Sequence, residues 1–209
     1  MIEKKKVFWF ILLRLLVVTL FLVTTVYLDV HTYDVSGEVA GKVLLRLIGA
    51  TYLFSLLSLV ALRPATPRHV RTLAYLQIVW DLILVTVLIL VSGGVTSHYA
   101  FLYFLSIISA SALLSRSQAY YTASLCVILY GAILDFQYYD KLAPLGLDAA
   151  PAQQWGAGYV FYLIFLHGAS FFLTAVLAGH MAERARVSET ALKEKAIDYE
   201  ELERLNSSI

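Results

Sequence analysis

The chain has 209 residues, 60% hydrophobic and 15% charged, with mean hydropathy +0.75 and a formal net charge of +1. A soluble domain is about 45–50% apolar and about 25% charged, so one water-soluble core cannot hide this much apolar surface, and the near-zero net charge gives no electrostatic reason to expect nucleic acid as a partner. The single cysteine, Cys126, rules out an intrachain disulfide and a Cys-based zinc site and reads as a small buried hydrophobe.

A helix needs about 20 mostly apolar residues to cross a hydrocarbon core about 30 Å thick. Six stretches come close to that requirement: Val7–Leu28, Val43–Leu62, Leu73–Val91, Tyr99–Leu114, Tyr120–Leu134 and Gly156–Ala178. The first follows Lys4, Lys5 and Lys6 and so imitates a signal peptide. Its apolar run is too long, and no small-residue cleavage pattern follows, so it reads as a retained helix. Arg14 lies on the lysine side of its midpoint. The third stretch carries Asp81 near its centre, with Gln77 one turn earlier on the same face. A charge at that depth costs at least about 2.5–3.5 kcal/mol on insertion scales, so Asp81 is expected to face the bundle interior and to be paired or protonated. Its partner is Arg14 or His167, which sits near the centre of the sixth stretch with Ser170 and Thr174 along its face. Such a pair either fixes helix packing or takes part in signalling.

Between the third and fourth stretches runs Ser92-Gly93-Gly94-Val95-Thr96-Ser97-His98-Tyr99, where two glycines permit a tight reversal. Gly93, Gly94, Ser97, His98 and Tyr99 form a candidate outer ligand loop. The fourth stretch holds Ser106, Ser109, Ala110, Ser111 and Ala112, small residues that let helices approach closely.

Lys and Arg collect on cytoplasmic loops. Here they mark the N-terminus, the second connection (Arg63, Arg68, Arg71), the fourth (Arg116) and the end of the sixth helix (Arg184, Arg186), whereas the odd connections are poor in them. The expected topology has both termini in the cytoplasm. Twelve charges follow Met181 with no Gly or Pro break, so the sixth helix should continue out of the bilayer. Residues 1–180 are then a transmembrane domain and 181–209 a cytoplasmic signalling helix. Leu192, Tyr199 and Asn206 recur every seven residues, as do Lys195, Leu202 and Ile209, a short heptad that predicts a two-stranded coil and hence a homodimer. Ser207-Ser208-Ile209 carries no stop signal and reads as the edge of something longer.

Phosphate-binding and zinc-protease motifs are missing, and none of the five histidines precedes an acidic residue. Neither a catalytic residue nor a cofactor or metal is expected. The fold class is therefore an all-α membrane protein, a six-transmembrane-helix bundle embedded in lipid. The function classes are a sensor input domain, a small transporter or channel, or a structural assembly protein.

Asp81, then Ser92-Gly93-Gly94 with Ser97, then Leu113-Leu114-Ser115-Arg116, resembles the membrane input region of PilS-like histidine kinases, which control type IV pilin transcription and are related to nitrogen-regulation sensors. Leu177-Ala178 through Ala182-Glu183-Arg184, with Ser188-Glu189 and Leu202 to Asn206, is similar to their linker into a PAS domain. The resemblance implies a six-helix sensor in the bacterial inner membrane that reads the level of pilin, with a pilin transmembrane helix as partner and Asp81 in the sensing or packing core. It also implies PAS and kinase domains beyond this chain, through which a response regulator is reached. Gly93-Gly94 resembles the GGxxNPF loop of redox-responsive membrane kinases, but Ser97, His98 and Tyr99 stand where that loop has Asn-Pro-Phe, which weakens a quinone-binding alternative.

Overall fold

The computed structural model describes residues 4–31, 38–63, 66–145 and 149–207, without the side chains of 21–44, 67, 145 and 200–207. It is all-helical among these residues: α1 (Lys4–His31), α2 (Glu38–Leu62), α3 (Pro67–Val91), α4 (Leu102–Leu113), α5 (Arg116–Tyr138) and α6 (Ala150–Ser207). The six elements are the six expected, with shifted ends. Pro67 opens α3 at the first helical position, where its missing N–H costs nothing.

Two boundaries correct the sequence reading. Tyr99 does not begin a transmembrane α-helix. Gly93 (φ +102°) and Gly94 (φ +62°) turn the chain, and two short 3-10 segments, Gly94–Thr96 and His98–Phe101, intervene before α4 starts at Leu102. A Cβ at Gly93 would lie 2.5 Å from Thr96 Oγ1, so the left-handed turn and the lack of space both demand glycine. The fifth helix, in turn, is about one turn longer at each end than Tyr120–Leu134; its earlier start is capped by extended Ser115, which accepts from the Gln118 N–H at 3.4 Å.

The helices are sorted by the bilayer's logic, apolar outward and small or polar inward. On α2, Ile48, Thr51, Ser55, Ser58 and Leu62 recur at three- and four-residue spacing and are buried, while Leu53, Leu56, Leu57 and Val60 face outward. On α4, Ser106, Ser109, Ala110 and Ser111 are buried, as their size suggested. The main core joins α3 to α6 around Tyr103, Ile107, Cys126, Leu134 and Phe171, and a smaller one packs Val7 and Ile11 of α1 against Leu62, Val70, Ala74 and Leu113. α5 and α6 pack most extensively, and a Cβ added at Gly168 or Gly131 would just reach van der Waals contact with Val127 or Ile164 across the interface.

α6 is interrupted once, at Gly156 (φ +77°, ψ 161°), the residue at which the sequence places the start of the sixth span. From there it runs unbroken into the charged stalk. Leu202 and Asn206 continue it in backbone, but their side chains, like Ser208 and Ile209, lie outside the described residues.

Candidate functional site

Arg14 of α1 lies about 15 Å along the helix from Lys4, and Asp81 about 15 Å from the far end of α3, so both sit near the middle of a core about 30 Å thick. The structure brings them together. Arg14 Nε is 2.7 Å from Asp81 Oδ1, and Nη2 donates to the Gln77 carbonyl at 2.7 Å. The guanidinium also lies over the rings of Phe10 and Phe54, 5.3 and 5.7 Å from their centroids. Gln77 is therefore part of this cluster through its backbone. Its fully buried side-chain amide, with Ser55 Oγ and Arg14 Nη1, has no hydrogen-bond partner among the described residues. An interior with spare donors and acceptors has room to rearrange its hydrogen bonds without leaving the bundle.

The pair is sealed unevenly. The Arg14 side chain is 5% exposed and that of Asp81 16%. Asp81 opens on a small cleft of about 60 Å³ between α1 and α4, walled by Phe10, Leu13, Val17 and Leu105.

His167 does not join this cluster. Its Nδ1 lies 2.9 Å from the Leu163 carbonyl one turn back, and its ring packs on Tyr130 (centroids 4.6 Å) and Phe171 (6.0 Å). The carbonyl can only accept, so Nδ1 is the donor. His167 instead lines an outer cleft of about 320 Å³ with Ser97, His98, Phe101, Phe104 and Ser170. Of the candidate outer loop, Ser97 and His98 reach this cleft, Tyr99 packs against the main core, and Gly93 and Gly94 serve the turn.

The contacts of two further residues escaped sequence reasoning. Gln137, 1% exposed, latches the loop to α5: its Oε1 accepts from the Val95 N–H at 2.8 Å and its Nε2 donates to the Gly93 carbonyl at 3.3 Å. Arg186 of the stalk caps α4, its Nη2 donating to the carbonyls of Ser111 (2.8 Å) and Leu114 (3.1 Å), while Ser111 Oγ donates to the Ala178 carbonyl at 2.8 Å. Those carbonyls end a helix that has no glycine cap, so a cation from a neighbour completes it.

The same end of the bundle holds the N-terminus. Lys6 Nζ is 2.8 Å from Glu189 Oε2 on the stalk, and Lys193 Nζ is 3.1 Å from Oε1. The two ammonium groups hold the Glu189 carboxyl at about 2, below the ordinary carboxylate range, with the Lys6 hydrogen bond the larger cause. A depressed value means that the contact is complete above the ordinary range and is lost only as pH falls through about 2, so salt rather than mild acid loosens it. Among stalk positions, Leu192 and Tyr199 are exposed in the single chain.

No curated protein and no solved structure matches the chain. The six-helix bundle agrees with a family model that matches residues 1–192, the PilS-like transmembrane domain, and the chain belongs to that family.

Proposed function

We propose that this chain is the membrane input domain of a two-component sensor histidine kinase, set in the bacterial inner membrane, and that it reads the level of pilin and passes the result through α6. Family membership supports the sensor class. The observation that carries the pilin reading is the uneven sealing of the Arg14–Asp81 pair: at mid-bilayer, Asp81 faces a cleft that only another membrane segment or a lipid can reach. An incoming helix that offers a polar group there competes with Arg14 and biases the bundle between two packings. The test is a fusion of this chain through its stalk to a histidine-kinase core, reconstituted with and without pilin. Autophosphorylation should change several-fold with pilin. Equal phosphorylation at all pilin levels sinks the reading.

Both termini belong in the cytoplasm on the Lys and Arg distribution, and the contacts of Lys6 with Glu189 and of Arg186 with the end of α4 support a common side. A parallel dimer of stalks would cover the exposed Leu192 and Tyr199. Single cysteines at Leu192 and Tyr199 are therefore expected to crosslink between chains far more than one at Glu200. They should also resist a membrane-impermeant thiol reagent until cells are opened. Labelling in intact cells overturns the orientation, and equal crosslinking at all three positions overturns the coil.

A further inference from the structure

A groove of about 450 Å³ runs between α1 and α4, walled by Trp9, Leu13, Leu105 and Ile108, with Lys5 and Lys6 at its mouth. It exists because α4 turns Ser109 and Ala112 toward it, side chains too short to fill the space. Trp9 is 62% exposed and Leu13 48%, so the α1 wall has no protein cover in the single chain. The groove narrows into the cleft at Arg14 and Asp81, sharing Phe10, Leu13, Leu105 and Ser109 with it.

Its length and charge both select an occupant. From Lys5 to Arg14 is nine residues of helix, about 13.5 Å, which is close to half of a hydrocarbon core about 30 Å thick. The groove spans about one leaflet, from Lys5 to Leu13, and opens at its deep end into the cleft at Arg14 and Asp81. An acyl chain ends at the midplane and so matches that length. Two ammonium groups stand where a phospholipid phosphate lies, and the groove lining contains no carboxylate on that rim. The nearby acid, Glu189, is already neutralised by Lys6 and Lys193. Juxtamembrane lysines are drawn to anionic lipid by the same field that acts on polybasic segments.

We propose that this groove is a binding site for an anionic phospholipid of the lysine-side leaflet, with its phosphate at Lys5 and Lys6 and one acyl chain laid along α1 and α4 as far as Arg14. The phosphate then meets Lys6 at the ammonium that also holds the stalk, so leaflet charge becomes an input to α6. The deep end of the acyl chain shares Phe10, Leu13, Leu105 and Ser109 with the cleft at Asp81, so a lipid and an incoming helix would compete there. The lipid site is tested with neither pilin nor a kinase.

Trp9 supplies the probe. In the full chain carrying Trp80→Phe and Trp155→Phe, Trp9 is the one remaining tryptophan. The protein is reconstituted in phosphatidylcholine vesicles containing either brominated phosphatidylglycerol or brominated phosphatidylcholine. Half-maximal quenching of Trp9 should require roughly five-fold less brominated phosphatidylglycerol. Lys5→Gln/Lys6→Gln should remove the preference, Lys4→Gln should keep it, and Ala112→Phe should weaken quenching by both lipids by filling the groove. Equal quenching in the parent protein, which needs no groove variant to fold, overturns the site. So does a preference that survives the double lysine change, or one lost equally with Lys4→Gln, which would mean surface charge alone. Efficient interchain crosslinking of Leu105→Cys without lipid preference overturns it too, and makes the groove an interface between copies.

Discussion

Arg14→Ala is expected to destabilise the bundle by about 3–5 kcal/mol, and Arg14→Leu/Asp81→Leu to recover most of that loss. Removing one partner leaves the Asp81 carboxylate uncompensated at mid-bilayer, where no water replaces the guanidinium. It also strips the Gln77 carbonyl of its 2.7 Å donor. Removing both charges leaves an apolar interface of similar volume, which is often neutral or better. Thermal unfolding in detergent, with size exclusion to score folding, measures the difference. A double variant no more stable than Arg14→Ala refutes the pairing argument. The same double variant, fused to a kinase, separates packing from sensing: we expect it to fold and to be unresponsive to pilin. A folded double variant with a normal response removes any sensory role from Asp81.

Arg186→Ala is expected to cost about 1.5–3 kcal/mol, the range for hydrogen bonds made by a charged group, and to uncouple the stalk from the bundle. Arg186 is the donor that ties the first stalk turns to the end of α4, through the Ser111 and Leu114 carbonyls. Without it the α4 carbonyls lose their cap, and the polar ties that remain at this level among the described residues are the Ser111–Ala178 bond and the Lys6–Glu189 pair. Arg186→Lys should recover part of the loss, because both carbonyls accept from the single nitrogen Nη2, and an ammonium carries three donors of its own. The readout is kinase output in the fusion, set against unfolding of the same protein. Full pilin response in Arg186→Ala would mean that the signal leaves the bundle elsewhere.

The sequence disclosed what the bilayer dictates. Span count, the continuous sixth helix and the need for an ion partner at Asp81 all follow from the cost of polar groups in hydrocarbon, and that cost is written in composition. Where it does not act, the reading faltered. His167 is half-buried against Tyr130 and satisfied by its own helix, so nothing in its position along the chain distinguished it from a partner of Asp81. Gln137 and Arg186 meet carbonyls far away in sequence, and only the docking of helices reveals which carbonyls are orphaned. The Thr51, Ser55 and Ser58 face of α2 was within reach: small polar residues at helical spacing in a leucine-rich span mark the inward side. The late start of α4 was legible in part, since the paired glycines forecast a reversal, though not the 3-10 turns that extend it.

Gly179 lies where α6 passes the head of α5, and a Cβ there would meet Arg116 Cγ at 2.8 Å. That contact makes a fulcrum. Arg186 and Glu189 tie the next turns to the bundle, and beyond them α6 has neither glycine nor proline as far as Ser207, so the free stalk is a stiff lever about 27 Å long, and a tilt of about 5° at its base carries its tip about 2 Å. Small movements inside the bilayer are thus carried along the stalk to its far end without being absorbed by a bend.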